Sequence, residues 1–256
     1  MLTDRFGRVH RDLRVSLTDR CNLRCTYCMP ADGLAWMPSA DLLTAAEIER
    51  VVRIGTELGI TEVRLTGGEP LIRADVVDIV ARLAALPRAP HLSVTTNALR
   101  LSALAGPLAE AGLARVNISC DTLSPESFAR LTLRDRLGDV LAGIAAAKAA
   151  GLAPIKINTV LMRGVNDHEA PALLRWALDE GLSLRFIEQM PLDPQHSWNR
   201  AMMVTREEIL DALERAGFHL TPRPGRGSAP AEEFVIDGGP STLGIVGSVT
   251  KPFCDA

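Results

Sequence analysis

The sequence predicts an α/β protein built on parallel strands: a partial (β/α)6-type TIM barrel followed by the start of a β-containing C-terminal extension. Three observations predict it. Short β-rich runs alternate with capped helical stretches about six times, the pattern that right-handed crossovers between parallel strands produce. Polar and thiol residues gather at the C-terminal ends of those runs, where such sheets carry their chemistry. After Gly217 the rhythm stops, and a Pro/Gly-rich stretch at 221–230 (TPRPGRGSAP) leads into two further β-rich runs. A doubly wound open sheet is the second architecture compatible with the same pattern.

Residues 13–17 (LRVSL) form a predicted first strand that ends at a cysteine-rich loop. Thr44-x-x-Glu47 is a capping box, which opens a helix through about Leu58, stopped by Gly59. A strand at 62–66 (EVRLT) runs into Gly67-Gly68-Glu69-Pro70, and a helix follows over 74–86. The series continues with a strand at 91–95, a helix at 101–111, a strand at 114–119 and an Ala-rich helix at 139–150. A strand at 154–161 (PIKINTVL), a helix at 169–179 and a strand at 182–187 (LSLRFI) complete the alternation. Thr205-x-x-Glu208 opens one more helix, to about Ala216. Residues 233–237 and 243–249 are the β-rich runs of the extension, so the expected division is a core over 1–217 and an extension over 218–256.

Composition bounds the function. A chain of 256 residues with 47% hydrophobic side chains can bury a large core. Its net charge of −3 argues neither for nor against a nucleotide partner, and no nucleic-acid or membrane partner is expected. No apolar run approaches the ~20 residues of a membrane span, and the Arg- and Asp-rich start lacks the apolar core of a signal peptide. Three of the five cysteines fall within residues 21–28 (CNLRCTYC), which is metal usage and needs a reducing compartment, so the cytoplasm is the expected location.

The cysteines stand at C-x3-C-x2-C: Cys21, Cys25 and Cys28. Three soft thiolates suit an iron–sulfur cluster or zinc. A zinc finger normally supplies four protein ligands, whereas three thiolates on a four-iron cluster leave one iron open to a small molecule.

This spacing, with Tyr27 before the third cysteine, resembles the signature of radical S-adenosylmethionine (SAM) enzymes. Further stretches (VRLTGGEPLIR, TTNALR, VNISCDTL, IKINTVLMRGVND, RFIEQMP, GSVTKPFC) resemble the GTP 3′,8-cyclases of molybdenum-cofactor biosynthesis, the MoaA family. The resemblance implies a barrel of the radical SAM kind. It implies that Cys21, Cys25 and Cys28 ligate a first 4Fe–4S cluster and that Tyr27, Gly68, Ser119 and Met190 contact SAM. Arg14, Arg64, Thr95 and Lys156 fall on the family's GTP positions, and Arg185 is a further candidate for SAM or substrate. Glu69, Asn97, Asp121 and Glu188 stand at strand ends, where each could orient the SAM ribose or a neighbouring cation. Cys120 reads as a small core side chain. Gly67 and Gly68 are expected to let backbone approach a ligand closely, with their N–H and C=O groups available to it.

The implied reaction is a radical cyclisation. A reduced cluster cleaves SAM, hydrogen is taken from C3′ of GTP, and C3′ joins C8 to give (8S)-3′,8-cyclo-7,8-dihydroguanosine triphosphate. Cyclic pyranopterin monophosphate synthase would take the product onward. A flavodoxin or ferredoxin would supply electrons, and a homodimer is possible. The family holds a second 4Fe–4S cluster, of which Cys254 matches the first ligand. The sequence stops two residues later, so it reads as truncated, with that cluster incomplete and turnover expected to suffer. Ala98 stands where the family usually has Gly. The other classes are a peptide-modifying radical SAM enzyme with an auxiliary cluster begun at Cys254, and an inactive cluster- or zinc-binding fragment.

Overall fold

The computed structural model describes residues 1–192, 196, 198–225 and 229–251. In chain order its elements are β1 (Asp12–Ser16), α1 (Ala45–Glu57), β2 (Glu62–Thr66), α2 (Val76–Ala84), β3 (His91–Thr96), α3 (Leu101–Glu110), β4 (Arg115–Ser119) and α4 (Pro125–Thr132). Then come α5 (Leu137–Ala149), β5 (Ile155–Val160), α6 (Ala170–Asp179), β6 (Ser183–Ile187), α7 (Arg206–Arg215), β7 (Leu220–Pro222), β8 (Glu232–Ile236) and β9 (Thr242–Val246). The expected alternation is present. Both capping boxes form: the Thr44 and Thr205 hydroxyls accept from the N–H of Glu47 and Glu208, whose carboxylates reach back to the caps.

The chain divides into two compact units. The first comprises residues 1–22, 35–118 and 138–155; the second comprises 23–34, 119–137 and 156–256.

In the first unit β1, β2, β3 and β4 pair in parallel, in chain order. One face of these strands carries Val63, Leu65, Leu92, Val94, Val116 and Ile118, all buried. It packs under the apolar stripes of the helices, such as Ile48 and Val52 of α1 and Ile79, Val80 and Leu83 of α2. Each such side chain contributes about 1.5–3 kcal/mol. The opposite face carries Arg14, Arg64, Ser93, Thr95, Arg115 and Asn117. Arg14 pairs in register with Arg64, Arg64 with Ser93, Ser93 with Arg115, and Thr95 with Asn117. An inward barrel face is ordinarily apolar; this one is polar.

In the second unit β5, β6 and β9 run parallel, and β8 and β7 continue antiparallel from β9. Ile157, Leu184, Phe186, Leu243 and Ile245 are buried, as are Leu173, Leu174 and Ala177 of α6 and Ile209 and Leu213 of α7. Two elements escape the sequence. Helix α4 is short, though Ser124 caps it and Pro125 opens it. Strand β7 ends on Thr221-Pro222, inside the stretch expected to be a linker. Proline is tolerated there because β7 is an outer strand, pairing with β8.

Candidate radical SAM site

Cys25 and Cys28 flank one tight turn: the Cys25 carbonyl accepts from the N–H groups of Cys28 (2.8 Å) and Met29 (3.1 Å). Helix α4 secures this loop. Its last carbonyls have no intrahelical partners, and those of Leu131 and Thr132 accept from Thr26 N–H (2.9 Å) and Arg24 N–H (3.0 Å). Leu133 ends the helix in the left-handed region at φ 54°. Cys25 is half-buried and Cys28 exposed, and the surrounding protein pushes the Cys28 thiol pKa up.

Tyr27 is tied into the same unit by its hydroxyl, which donates to Asp121 Oδ2 at 2.6 Å. The other Asp121 oxygen accepts from Val160 N–H at 2.8 Å. Asp121 is 7% exposed, and burial pushes its carboxyl up to about 6, against the opposing effect of these hydrogen bonds. Burial, followed by the charge of Asp121, drives the Tyr27 phenol well above its usual range.

Cys21 belongs to the first unit and is half-buried. Asn97 Nδ2 donates to Asn22 Oδ1 at 2.7 Å and lies 3.9 Å from Cys21 Sγ, so the β3 end braces the first cysteine. Ala98 adopts φ 62°, the left-handed conformation that the usual glycine would take freely, so the turn survives at a cost of about 1 kcal/mol.

The glycine pair meets protein backbone at close range. A Cβ on Gly67 would lie 2.3 Å from the Thr18 carbonyl oxygen, and one on Gly68 would lie 2.3 Å from that of Arg20. Gly68 N–H is not available to a ligand, because it donates to Thr18 O at 2.7 Å. The pair therefore lets backbone approach backbone immediately before Cys21, and any contact from Gly68 to the SAM ammonium falls to its carbonyl. Gly68→Ala is expected to destabilise the chain by about 3 kcal/mol, read by denaturant unfolding, and to lower iron bound per chain on reconstitution. Wild-type stability in that variant would contradict the contact.

Three of the polar strand-end groups are already occupied by protein. Glu69 accepts from Leu71 N–H, Thr96 Oγ1 and Asn97 N–H. Asp121 holds Tyr27 and Val160. Glu188, 1% exposed, accepts from Arg206 N–H (2.8 Å), Val249 N–H (2.9 Å), Thr250 N–H (2.9 Å) and Thr250 Oγ1 (2.5 Å). These carboxylates brace the loops that follow the strands. Glu188→Gln in its better orientation still turns an amide NH2 toward the Arg206 N–H donor and is expected to cost about 2 kcal/mol. A two-state unfolding titration checks this; an unchanged midpoint would contradict it.

On the polar face of the first unit Arg14 is exposed and Arg64 and Thr95 half-buried. In the second unit Lys156 and Arg185 line one cavity of about 50 Å³ with Ser183, Glu233 and Thr242, and Gly244 leaves room for the Arg185 side chain. Ser119 ends β4 exposed; Met190 is 37% exposed and its carbonyl accepts from Leu192 N–H at 2.8 Å. Cys120 is buried and pushed up to about 12, chiefly by burial, as befits an inert packing thiol. Cys254 lies outside the described residues. Among the described residues no three His, Cys, Asp or Glu converge as ligands of a single ion would. A four-iron cluster needs no such convergence, because each thiolate ligates its own iron. The soft donor set and the secured Cys25–Cys28 turn fit an iron–sulfur cluster.

Fold and site together define a radical SAM protein. Residues 15–177 match the Radical SAM superfamily and residues 182–256 match Molybdenum Cofactor Synthesis C. The crystal structure of methylornithine synthase aligns with a TM-score of 0.61 at 18% identity, covering 82% of this chain and 64% of that one. The fold is thus an α/β partial barrel of the radical SAM kind. A GTP 3′,8-cyclase of Streptomyces coelicolor is 58% identical over 259 residues, spanning 100% of this chain and 76% of that protein. One of Paenarthrobacter nicotinovorans is 53% identical over 266 residues, spanning 99% of this chain and 75% of that protein. The chain belongs to the GTP 3′,8-cyclase family.

Proposed function

We propose that this protein catalyses the SAM-dependent radical cyclisation of GTP, the first step of molybdenum-cofactor biosynthesis. The observation that carries this reading is the polar strand face of the first unit. There Arg14 stands in register beside Arg64, and Arg64 beside Ser93, with Thr95 two residues further along the same strand, while Arg115 on that face is paired with Glu62 at 3.0 Å. Arg14 and Arg64 supply charge for a triphosphate and Thr95 a hydroxyl; in the second unit Lys156 adds a further cation.

Cys21, Cys25 and Cys28 would hold the cluster, with Tyr27, Gly68, Ser119 and Met190 contacting SAM. When bound, these groups supply the radical that takes a hydrogen from the substrate. The protein's share is placement. The Cys25 turn presents two thiolates, Asp121 fixes Tyr27 between them, and the Gly67–Gly68 contact fixes the segment entering Cys21. A second cluster with Cys254 as a ligand, a flavodoxin or ferredoxin as donor, cyclic pyranopterin monophosphate synthase as the consuming enzyme, and homodimerisation belong to the same proposal. So does the cytoplasm, supported by the reducing conditions thiolate clusters need. No helix of the described residues is long and apolar enough to cross a membrane.

The test is anaerobic: reconstitute with iron and sulfide, reduce, add SAM with and without GTP, and quantify 5′-deoxyadenosine by mass spectrometry. Formation stimulated by GTP is the expected result. Formation indifferent to GTP would point to a different substrate, and none from a cluster-loaded chain would remove the enzymatic reading.

A further inference from the structure

Asn117 is buried to 2% exposure on β4, and its side-chain Nδ2 has no hydrogen-bond partner among the described residues. A buried amide left unsatisfied is costly, and native structures rarely keep one without a reason. Its neighbours in the strand, Val116 and Ile118, belong to the helix-covered core. Strand alternation therefore sets Asn117 on the opposite, polar face. Nothing in the cysteine loop or the caps uses it.

Register tells what the amide faces. Arg14, Arg64, Ser93 and Arg115 form one row across the four strands. Thr95 and Asn117 form the next row toward the C-terminal ends, about 7 Å further along at two residues per step. Beyond that row, at the end of β2, lies the Gly67–Gly68 turn. A nucleotide with its triphosphate on the Arg14/Arg64 row and its reacting end toward the SAM side places its ribose at the Thr95/Asn117 row. The group there that can satisfy an N–H donor is a hydroxyl oxygen.

We infer that Asn117 reads the ribose of the substrate nucleotide, donating a hydrogen bond from Nδ2 to a ribose hydroxyl oxygen. The inference rests on the GTP reading above and adds a specificity residue to it.

The experiment is calorimetric titration of the reconstituted, SAM-loaded full chain with GTP, 2′-deoxy-GTP and 3′-deoxy-GTP. It compares wild type with Asn117→Ala and the near-isosteric Asn117→Leu. Wild type is expected to bind one deoxy analogue about tenfold more weakly than GTP, the effect of one lost hydrogen bond. Both variants are expected to lose about tenfold for GTP and nothing further for that analogue. The ligand-free thermal midpoint of the near-isosteric Asn117→Leu should not fall, because the substitution removes an unpaired donor and keeps the volume; a purely structural asparagine would lower it. Equal losses for all three nucleotides, or undiminished GTP binding in the variants, would overturn the inference while leaving the cyclase reading in place. A wild-type chain that binds none of the three would remove both.

Discussion

Cys25→Ser is expected to leave a folded chain that cleaves no SAM. The two functions of this residue are separable. Its backbone carbonyl closes the loop by accepting from Cys28 and Met29 N–H, and serine retains that carbonyl. Its sulfur is the soft donor, and a serine hydroxyl is a poor substitute at iron. The residue is half-buried and the change in volume is small, so unfolding stability should move by less than about 1 kcal/mol. Iron and sulfide per chain should fall sharply, and 5′-deoxyadenosine should drop to the level without enzyme. If the variant forms 5′-deoxyadenosine at the wild-type rate, the thiolate assignment is wrong, whatever happens to its stability.

The contrast between these two roles explains what could be read in advance. Features written in a few neighbouring residues were legible. The capping boxes at Thr44 and Thr205, the β-rich runs and the cysteine spacing are all local patterns, and their elements formed within a few residues of the expected bounds. Features that depend on distant partners were not. Tyr27 and Asp121 are 94 residues apart in sequence, and nothing local announces that one caps the other. Glu188 stands at a strand end in the sequence, and the donors its carboxylate accepts from lie up to 62 residues away. The Gly-Gly turn was recognisable as a place of close approach, but the sequence could not say that the approaching group is the Thr18–Arg20 backbone. Asn117 carried no signal, since an asparagine among β-branched neighbours reads as an ordinary strand residue. Its orphaned amide becomes visible only when burial and register are known.

Asp121→Ala is expected to lower stability by about 3 kcal/mol, because it strands the Tyr27 hydroxyl and the Val160 N–H, each costing about 1–3 kcal/mol when unpaired. Asp121→Asn separates charge from shape. Burial raises the folded carboxyl to about 6 from an ordinary 3.8, so between those values the native state holds a proton that the unfolded chain has released. Stability from this group is therefore full below about pH 4 and is lost as pH rises through about 6. The swing is roughly 3 kcal/mol at 1.36 kcal/mol per unit. Urea titrations of the cluster-free chain from pH 4.5 to pH 7 should show this decline in wild type and a flatter profile in Asp121→Asn. Parallel profiles would mean that Asp121 does not titrate in this window. The functional arm is independent of the stability arm. Asp121 anchors Tyr27 through a single 2.6 Å bond, and an asparagine carbonyl can still accept from that hydroxyl. SAM affinity should thus survive largely in Asp121→Asn and fall in Asp121→Ala. Equal SAM binding in Asp121→Ala would show that the cysteine loop holds Tyr27 unaided and that the carboxylate serves the strand end alone.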